Sequence, residues 1–284
     1  MGYHYVPQKY LRGFADKSSP DMIWLFDKQG DSPRLAPIDK VAQSKGYYDD
    51  DVESELANAV EAPANLVIQL LRDDQAISIE QRRQLAVYIG VMLMRVPYRR
   101  AKAYELAPQT VQETIAEFRE QILHIAATTD IAPEIVSRRL AEIEAFERKH
   151  RHDPPQSVHD QIRRPWPTKP MLDALFDMTW RLLKTEGPIH YMTSDNPAHF
   201  FEAYGLATEH AELVFPISTA LVLHGCWQHA DHPMVYGTAR QRFVKEVNRR
   251  VASTTKRLAF YSESVGWIQP LLQKQRHYLS RIQW

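Results

Sequence analysis

The sequence predicts an α+β fold, with a mostly helical middle and a small, largely C-terminal β-sheet. Two observations carry this. Residues 52–96 and 108–150 hold apolar side chains at helical spacing. Short aromatic and β-branched runs bounded by turn formers, "MIWLFDK" near the start and "ELVFPISTALVLHGCW" and "LAFYSES" near the end, read as strands. A chain of 284 residues with 44% hydrophobic content buries a large core. One co-folded domain, 1–284, with a proline-rich internal loop at 151–170, is the expected organisation.

In chain order, Pro7 suits the first position of a short helix, because its missing N–H costs nothing there. That helix places Tyr10, Leu11 and Phe14 on one side for burial, and Gln8 and Arg12 four apart on another. His4 stands just before it, where the free N–H groups of a helix start would receive an anion. "MIWLFDK" (22–28) follows as a strand, then a loop rich in Pro, Gly and Asp. Val52, Leu56, Val60, Val67 and Leu71 mark the next helical stretch, which Pro63 either bends or divides in two. Ser78 and Gln81 have the spacing of a capping box, opening a helix through "LAVYIGVMLMRV". That run is apolar all round and belongs at the centre of others, until Pro97 interrupts it.

Residues 108–126 and 133–150 each begin with proline and carry an apolar stripe opposite charges, as an antiparallel helix pair does. "RHDPPQSVHDQIRRPWPTKP" breaks every period and reads as loop. A helix from Met171 to Glu186, closed by Gly187, comes next. The strands "IHYMTSDNP", "ELVFPISTALVLHGCW" and "LAFYSES" and an Arg/Lys-rich helix from Ala239 to Lys256 complete the chain.

Composition narrows the function. No run approaches the ~20 apolar residues of a membrane span, and the start lacks a signal-peptide pattern, so a cytoplasmic protein is expected. A single cysteine, Cys226, excludes an internal disulfide and a zinc site built mainly from thiolates. The net charge is zero, yet residues 234–284 carry ten Lys/Arg against two Asp/Glu. Such a segment is either a solvated, paired surface or a local face for phosphates. Whole-chain neutrality argues against nonspecific coating of duplex nucleic acid. Glycine-rich phosphate loops, the dinucleotide fingerprint, H-E-x-x-H and G-x-S-x-G are all absent from the sequence.

"HYVPQKYLRGFA" resembles the N-terminal signature of a bacterial family catalogued as domain of unknown function 4238, whose members open on His-x-x-Pro-Gln-x-Tyr-Leu-Arg-x-Phe. Tyr47–Tyr48 before a Glu-containing helix, Arg95–Val96–Pro97, the "TSDNP" turn and the late Asn248 fall in the order that family shows. The resemblance spans essentially the whole chain. It implies one co-folded unit and supplies no catalytic roles.

The chemistry must therefore come from the residues. Asp195 and Asn196 in "TSDNP" either bend the chain through their own backbone or project a carboxylate and an amide from a sheet edge. A histidine with an aspartate, an arginine and amides suffices for phosphodiester cleavage, His4 moving a proton and Arg95 or Arg12 stabilising the oxyanion. The expected catalytic residues are thus His4, Arg95 and Asp195, with Gln8, Arg12, Asn196 and Asn248 binding substrate. Arg95 closes an apolar helix and needs a partner, for which Glu53 and Glu61 are the candidates. His224, Cys226, His229 and His232 offer ligand types at a spacing that does not make a metal site. The cofactor is left open, a divalent metal being the one candidate.

Two readings follow. One is a nuclease-like enzyme of a bacterial stress or defence system, its partner nucleic acid or another anion. The other is a non-enzymatic module for an anionic ligand or peptide, in which His4, Gln8, Arg12, Asp195 and Asn248 form a buried hydrogen-bond network. Neither involves a membrane, and the sequence leaves the oligomeric state open.

Overall fold

The computed structural model describes residues 2–200, 205–227, 234–274 and 282. It divides into two compact units, residues 1–98 with 165–284, and residues 99–164. The fold is α+β, with the sheets spread through the chain and not confined to its C-terminal part.

The first unit opens with β1 (Gly2–His4), the one-turn helix α1 (Gln8–Leu11) and a 3₁₀ turn (Arg12–Phe14). β2 (Met22–Asp27), β3 (Arg34–Pro37) and β4 (Gln43–Lys45) follow. These early strands explain the wider spread of the sheets. β3 has four residues and β4 three, too few to show the apolar alternation by which a strand is read. A continuous helical stretch then runs from α2 (Asp50–Glu55) through a π-helical segment (Leu56–Glu61) into α3 (Ala62–Arg72). Pro63 neither breaks nor divides it. The wider π turn lies directly before this proline, whose ring has no N–H to return to the preceding turn.

α4 (Ile79–Arg95) starts at the expected capping box: Ser78 Oγ accepts from the Gln81 N–H at 3.2 Å, and Gln81 Oε1 from the Ser78 N–H at 2.8 Å. Its apolar run is enclosed on all sides, from Leu85 to Leu93.

The second unit holds α5 (Pro97–Thr128, entering at Arg99), α6 (Pro133–His150) and α7 (Gln156–Arg163). α5 runs through Pro108, which was expected to start it, and α6 has the expected bounds. Arg119 Nη2 of α5 meets Glu147 Oε2 of α6 at 2.9 Å. α7 lies inside the stretch 151–170 expected as loop. Its prolines stand only at the edges of the helix, where Pro155 serves as N-cap.

Back in the first unit, α8 (Lys169–Asp177) ends well before Glu186, because Thr179–Thr185 is strand β5. This stretch is largely buried on both faces, so it lacks the alternation that separates a strand from a helix. The β-favouring Thr179 and Trp180 mark the switch, and Trp180 Nε1 donates back to the Leu175 carbonyl at 2.9 Å. Gly187 thus follows a strand and caps no helix. β6 (Thr193–Ser194), β7 (His199–Phe200), β8 (Glu212–Pro216), β9 (Leu221–Cys226), β10 (Met234–Ala239), α9 (Gln241–Thr254), β11 (Leu258–Tyr261) and α10 (Ile268–Leu272) complete the unit.

β5 lies within a five-stranded sheet of order β10-β5-β9-β8-β7, parallel to β10 and antiparallel to β9. A four-stranded antiparallel sheet has the order β3-β2-β11-β6, and β1 pairs with β4. α9 lays Phe243, Val244, Val247 and Val251 into a core shared with Val214, Val222 and Ala259. Cys226 is buried on β9. No helix among the described residues is long and apolar enough to cross a membrane.

Candidate functional site

The N-terminus is pinned in the core. Tyr10, Leu11 and Phe14 are fully buried, and the Tyr10 hydroxyl donates to the Pro216 carbonyl at 2.7 Å. Arg72 of α3 donates to the carbonyls of Tyr10 and Ile217, each at 2.8 Å. A Cβ on Gly13 would meet the Arg72 guanidinium and stand 2.7 Å from the Ile217 oxygen, so this clasp requires glycine. Gly13→Ala is expected to destabilise the protein by ~1–3 kcal/mol through overpacking, measurable as a lowered urea midpoint at unchanged slope.

This anchoring fixes His4. It ends β1, paired with Gln43 of β4, and its carbonyl accepts from Arg95 Nη2. Arg95 closes α4, its side chain 1% exposed, and its Nη1 meets Glu61 Oε1 at 2.6 Å. Glu61 is the partner the sequence required. The Arg95 carbonyl accepts from the Tyr47 and Tyr48 hydroxyls at 2.8 and 3.0 Å, and its guanidinium lies 5.7 Å from the Tyr48 ring centre. Burial opposes the arginine's charge, but Tyr48 and Glu61 outweigh it and raise its pKa.

Around this ion pair several buried polar atoms have no hydrogen-bond partner among the described residues: His4 Nε2, Glu53 Oε2, Tyr88 Oη and Arg95 Nε. His4, Glu53 and Tyr88 each interact electrostatically with both Glu61 and Arg95, so all three lie around that ion pair. Burial lowers the His4 pKa, against a hydrogen bond to the Asp39 backbone and the charge of Glu61, which raise it. Burial raises that of Glu53; Arg95 opposes this and Glu61 reinforces it. A histidine held towards its neutral form and a carboxyl held towards its protonated form thus share the Arg95–Glu61 ion pair as a common neighbour. Glu53 precedes the π-helical segment, a distortion that recurs at functional sites, and Glu61 is its last residue. His4, Glu53 and Glu61 are half-buried, so one side of the group reaches the surface.

The other expected site residues are employed elsewhere. Asp195 is buried; its Oδ1 accepts from the Lys256 N–H at 2.9 Å, and its Oδ2 from those of Arg257 and Leu258 at 2.7 and 2.9 Å. Asn196 donates to the Thr254 carbonyl at 3.3 Å, and Ser194 Oγ accepts the Asn196 N–H at 3.0 Å. Asn248 accepts from the Met192 N–H at 3.0 Å and donates to the His190 carbonyl at 2.9 Å, stapling α9 to the segment before β6. Arg12 points outward to Asp21, and Gln8 starts α1 half-buried. α1 is a single turn, too short to offer the anion site expected at its start.

Sequence reasoning missed a second buried charge cluster. Glu212 of β8 is fully buried; its Oε1 meets His224 Nε2 at 2.9 Å and the Ile282 N–H at 2.8 Å, and its Oε2 meets Arg250 Nε at 3.0 Å. The signal was a glutamate opening an apolar strand, which must find a cation. Among the described residues no group of three or more His, Cys, Asp or Glu is placed to hold a metal ion. His229 and His232 lie outside the described residues.

The family profile described as protein of unknown function DUF4238 matches residues 3–264, most of the sequence. The chain belongs to this family. The match takes in His4, Glu53, Glu61, Arg95 and both buried clusters of the DUF4238 chain short of Ile282. Neither the curated proteins nor the solved structures gave a match.

Proposed function

We propose that this DUF4238 chain cleaves phosphodiesters with His4 as general base and Glu53 as general acid. The observation that carries the reading is a neutral-leaning imidazole whose Nε2 is unpartnered and a protonated-leaning carboxyl whose Oε2 is unpartnered, both beside one arginine. In this scheme His4 Nε2 takes the proton of an attacking hydroxyl as its oxygen bonds to phosphorus. Glu53 gives its proton to the leaving oxygen as the second P–O bond breaks, and Arg95 offsets the charge on the phosphoryl oxygens. With Glu53 protonated, Glu61 and Arg95 cancel, so an anionic substrate is not repelled. Nucleic acid is then the partner, and a cytoplasmic stress or defence role the setting.

The test is incubation of purified protein with mixed RNA and DNA, with and without divalent metal. His4→Gln and Glu53→Gln are each expected to lower the rate ~10²-fold or more with the melting temperature nearly kept. Absence of cleavage under every condition, or full activity in either variant, would overturn the proposal. A second reading, a binding module whose network fixes the N-terminus, is favoured by one observation: Arg95 directs Nη1 to Glu61 and Nη2 to the His4 carbonyl. It predicts the reverse for His4→Gln: lowered stability and no cleavage to lose.

A further inference from the structure

The helical unit, residues 99–164, leaves apolar surface open. α6 carries Ile135, Val136, Leu140, Ile143 and Phe146 at helical spacing, yet none of its residues is fully buried. Helical stability in a protein comes mainly from covering such a face. A groove of about 660 Å³ runs between α5, α6 and α7, lined in part by Ile115, Phe118, Ile122, Ile125, Ile143 and Phe146. Phe118 is 53% exposed, Ile125 45% and Phe146 43%, so three of the side chains lining the groove are left in solvent. Scattered apolar residues on a surface need no explanation, but adjoining ones around a groove mark an interaction face.

Charge selects the occupant. The unit carries eleven Lys/Arg against eleven Asp/Glu. This balance gives no attraction to a phosphate backbone or an anionic membrane, and no repulsion against its own kind. At the groove, Arg139 Nη1 and Glu142 Oε2 stand 2.7 Å apart on one turn of α6 and present both signs side by side. A two-fold axis sets such a pair against itself with opposite charges facing.

We infer that the groove is the self-association face of the chain, filled by the α5–α6 hairpin of a second copy to close a four-helix bundle. Its apolar lining becomes the bundle core, and Arg139 of each copy faces Glu142 of the other. The inference does not depend on the proposed cleavage chemistry.

Light scattering coupled to gel filtration, on the full chain over a dilution series, is expected to give the mass of two chains. Phe118→Glu with Phe146→Glu is expected to give the mass of one chain at an unchanged far-UV spectrum, both positions being solvent-exposed. Arg139→Glu and Glu142→Arg are each expected to weaken the dimer. Mixing these two variants is expected to restore it as a heterodimer, seen by native mass spectrometry, and this readout stands if the double glutamate variant unfolds. A wild-type chain of single mass throughout, or a dimer that survives the substitutions, would overturn the inference.

Discussion

Arg250→Met and Glu212→Gln are each expected to destabilise the protein by ~3–5 kcal/mol, the loss that follows when one partner of a buried ion pair is removed. Glu212 is fully buried and the Arg250 side chain 3% exposed, so water cannot replace the missing partner. Arg250→Met leaves a buried carboxylate held by His224 and the Ile282 N–H. Glu212→Gln leaves the Arg250 cation facing Glu246, at 3.1 Å on the same helix. Replacing both by apolar residues, Glu212→Leu with Arg250→Met, should cost less than the sum of the single losses, because the second substitution removes a charge that the first orphaned. Urea unfolding checks this. Two single variants within ~1 kcal/mol of the wild type would show that the cluster carries no stability.

The same cluster sets an acid limit. Burial pushes the Glu212 carboxyl up, but His224, Arg250 and the Ile282 N–H outweigh it and hold the pKa below the ordinary value of 4.5. A depressed folded pKa gives stability that is present above the unfolded value and lost as pH falls through the folded one. His199, packed beside this group, is lowered from 6.5 to about 4, chiefly by burial, with Glu212 opposing and Arg250 assisting. Its contribution has the same sign and is lost as pH falls from 6.5 towards 4. Stability should therefore decline below pH 6.5 and decline further where Glu212 protonates.

How much of this was legible depended on whether a signal was local. The Ser78–Gln81 capping box is complete within four residues, and the structure bears it out. α9 was legible for the same reason: its stripe needs only its own period. β5 was not, because a strand buried on both faces has no alternation to display, and its first residues continue the apolar spacing of α8. At the candidate site, the sequence identified His4 and Arg95 and the pool of acids from which Arg95 draws its partner. That Glu53 joins as a carboxyl with a raised pKa depends on its distance from Arg95 and Glu61 across a π-helical turn, a register change that no local pattern announces. Asp195 shows the opposite failure. Its residue type suited catalysis and its position at a strand end suited exposure, but three N–H groups of a distant segment claim its oxygens.

That claim makes a graded prediction. Asp195 follows the two-residue β6, and its own N–H donates to the Leu258 carbonyl at 2.8 Å, so one residue ties β6 to the start of β11 through backbone and carboxylate together. Burial raises the carboxyl pKa, while the N–H groups of Leu258, Arg257 and Lys256 pull it down. Asp195→Ala strands all three donors in a buried setting and is expected to cost ~3–5 kcal/mol, at ~1–3 kcal/mol for each donor left unmade and with partial relief from water. Asp195→Asn keeps one oxygen, which still serves Arg257 and Leu258, and turns an amide nitrogen towards the Lys256 N–H; with that single hydrogen bond broken it is expected to cost ~1–2 kcal/mol. The order Ala above Asn separates a structural carboxylate from a catalytic one, since a catalytic Asp195 would lose activity in both variants at nearly constant stability. Denaturant unfolding of the two variants beside the cleavage assay decides between them. Equal stability of wild type, Asn and Ala forms would mean that the three N–H groups find other acceptors, and the strand-pinning role assigned to Asp195 would fall.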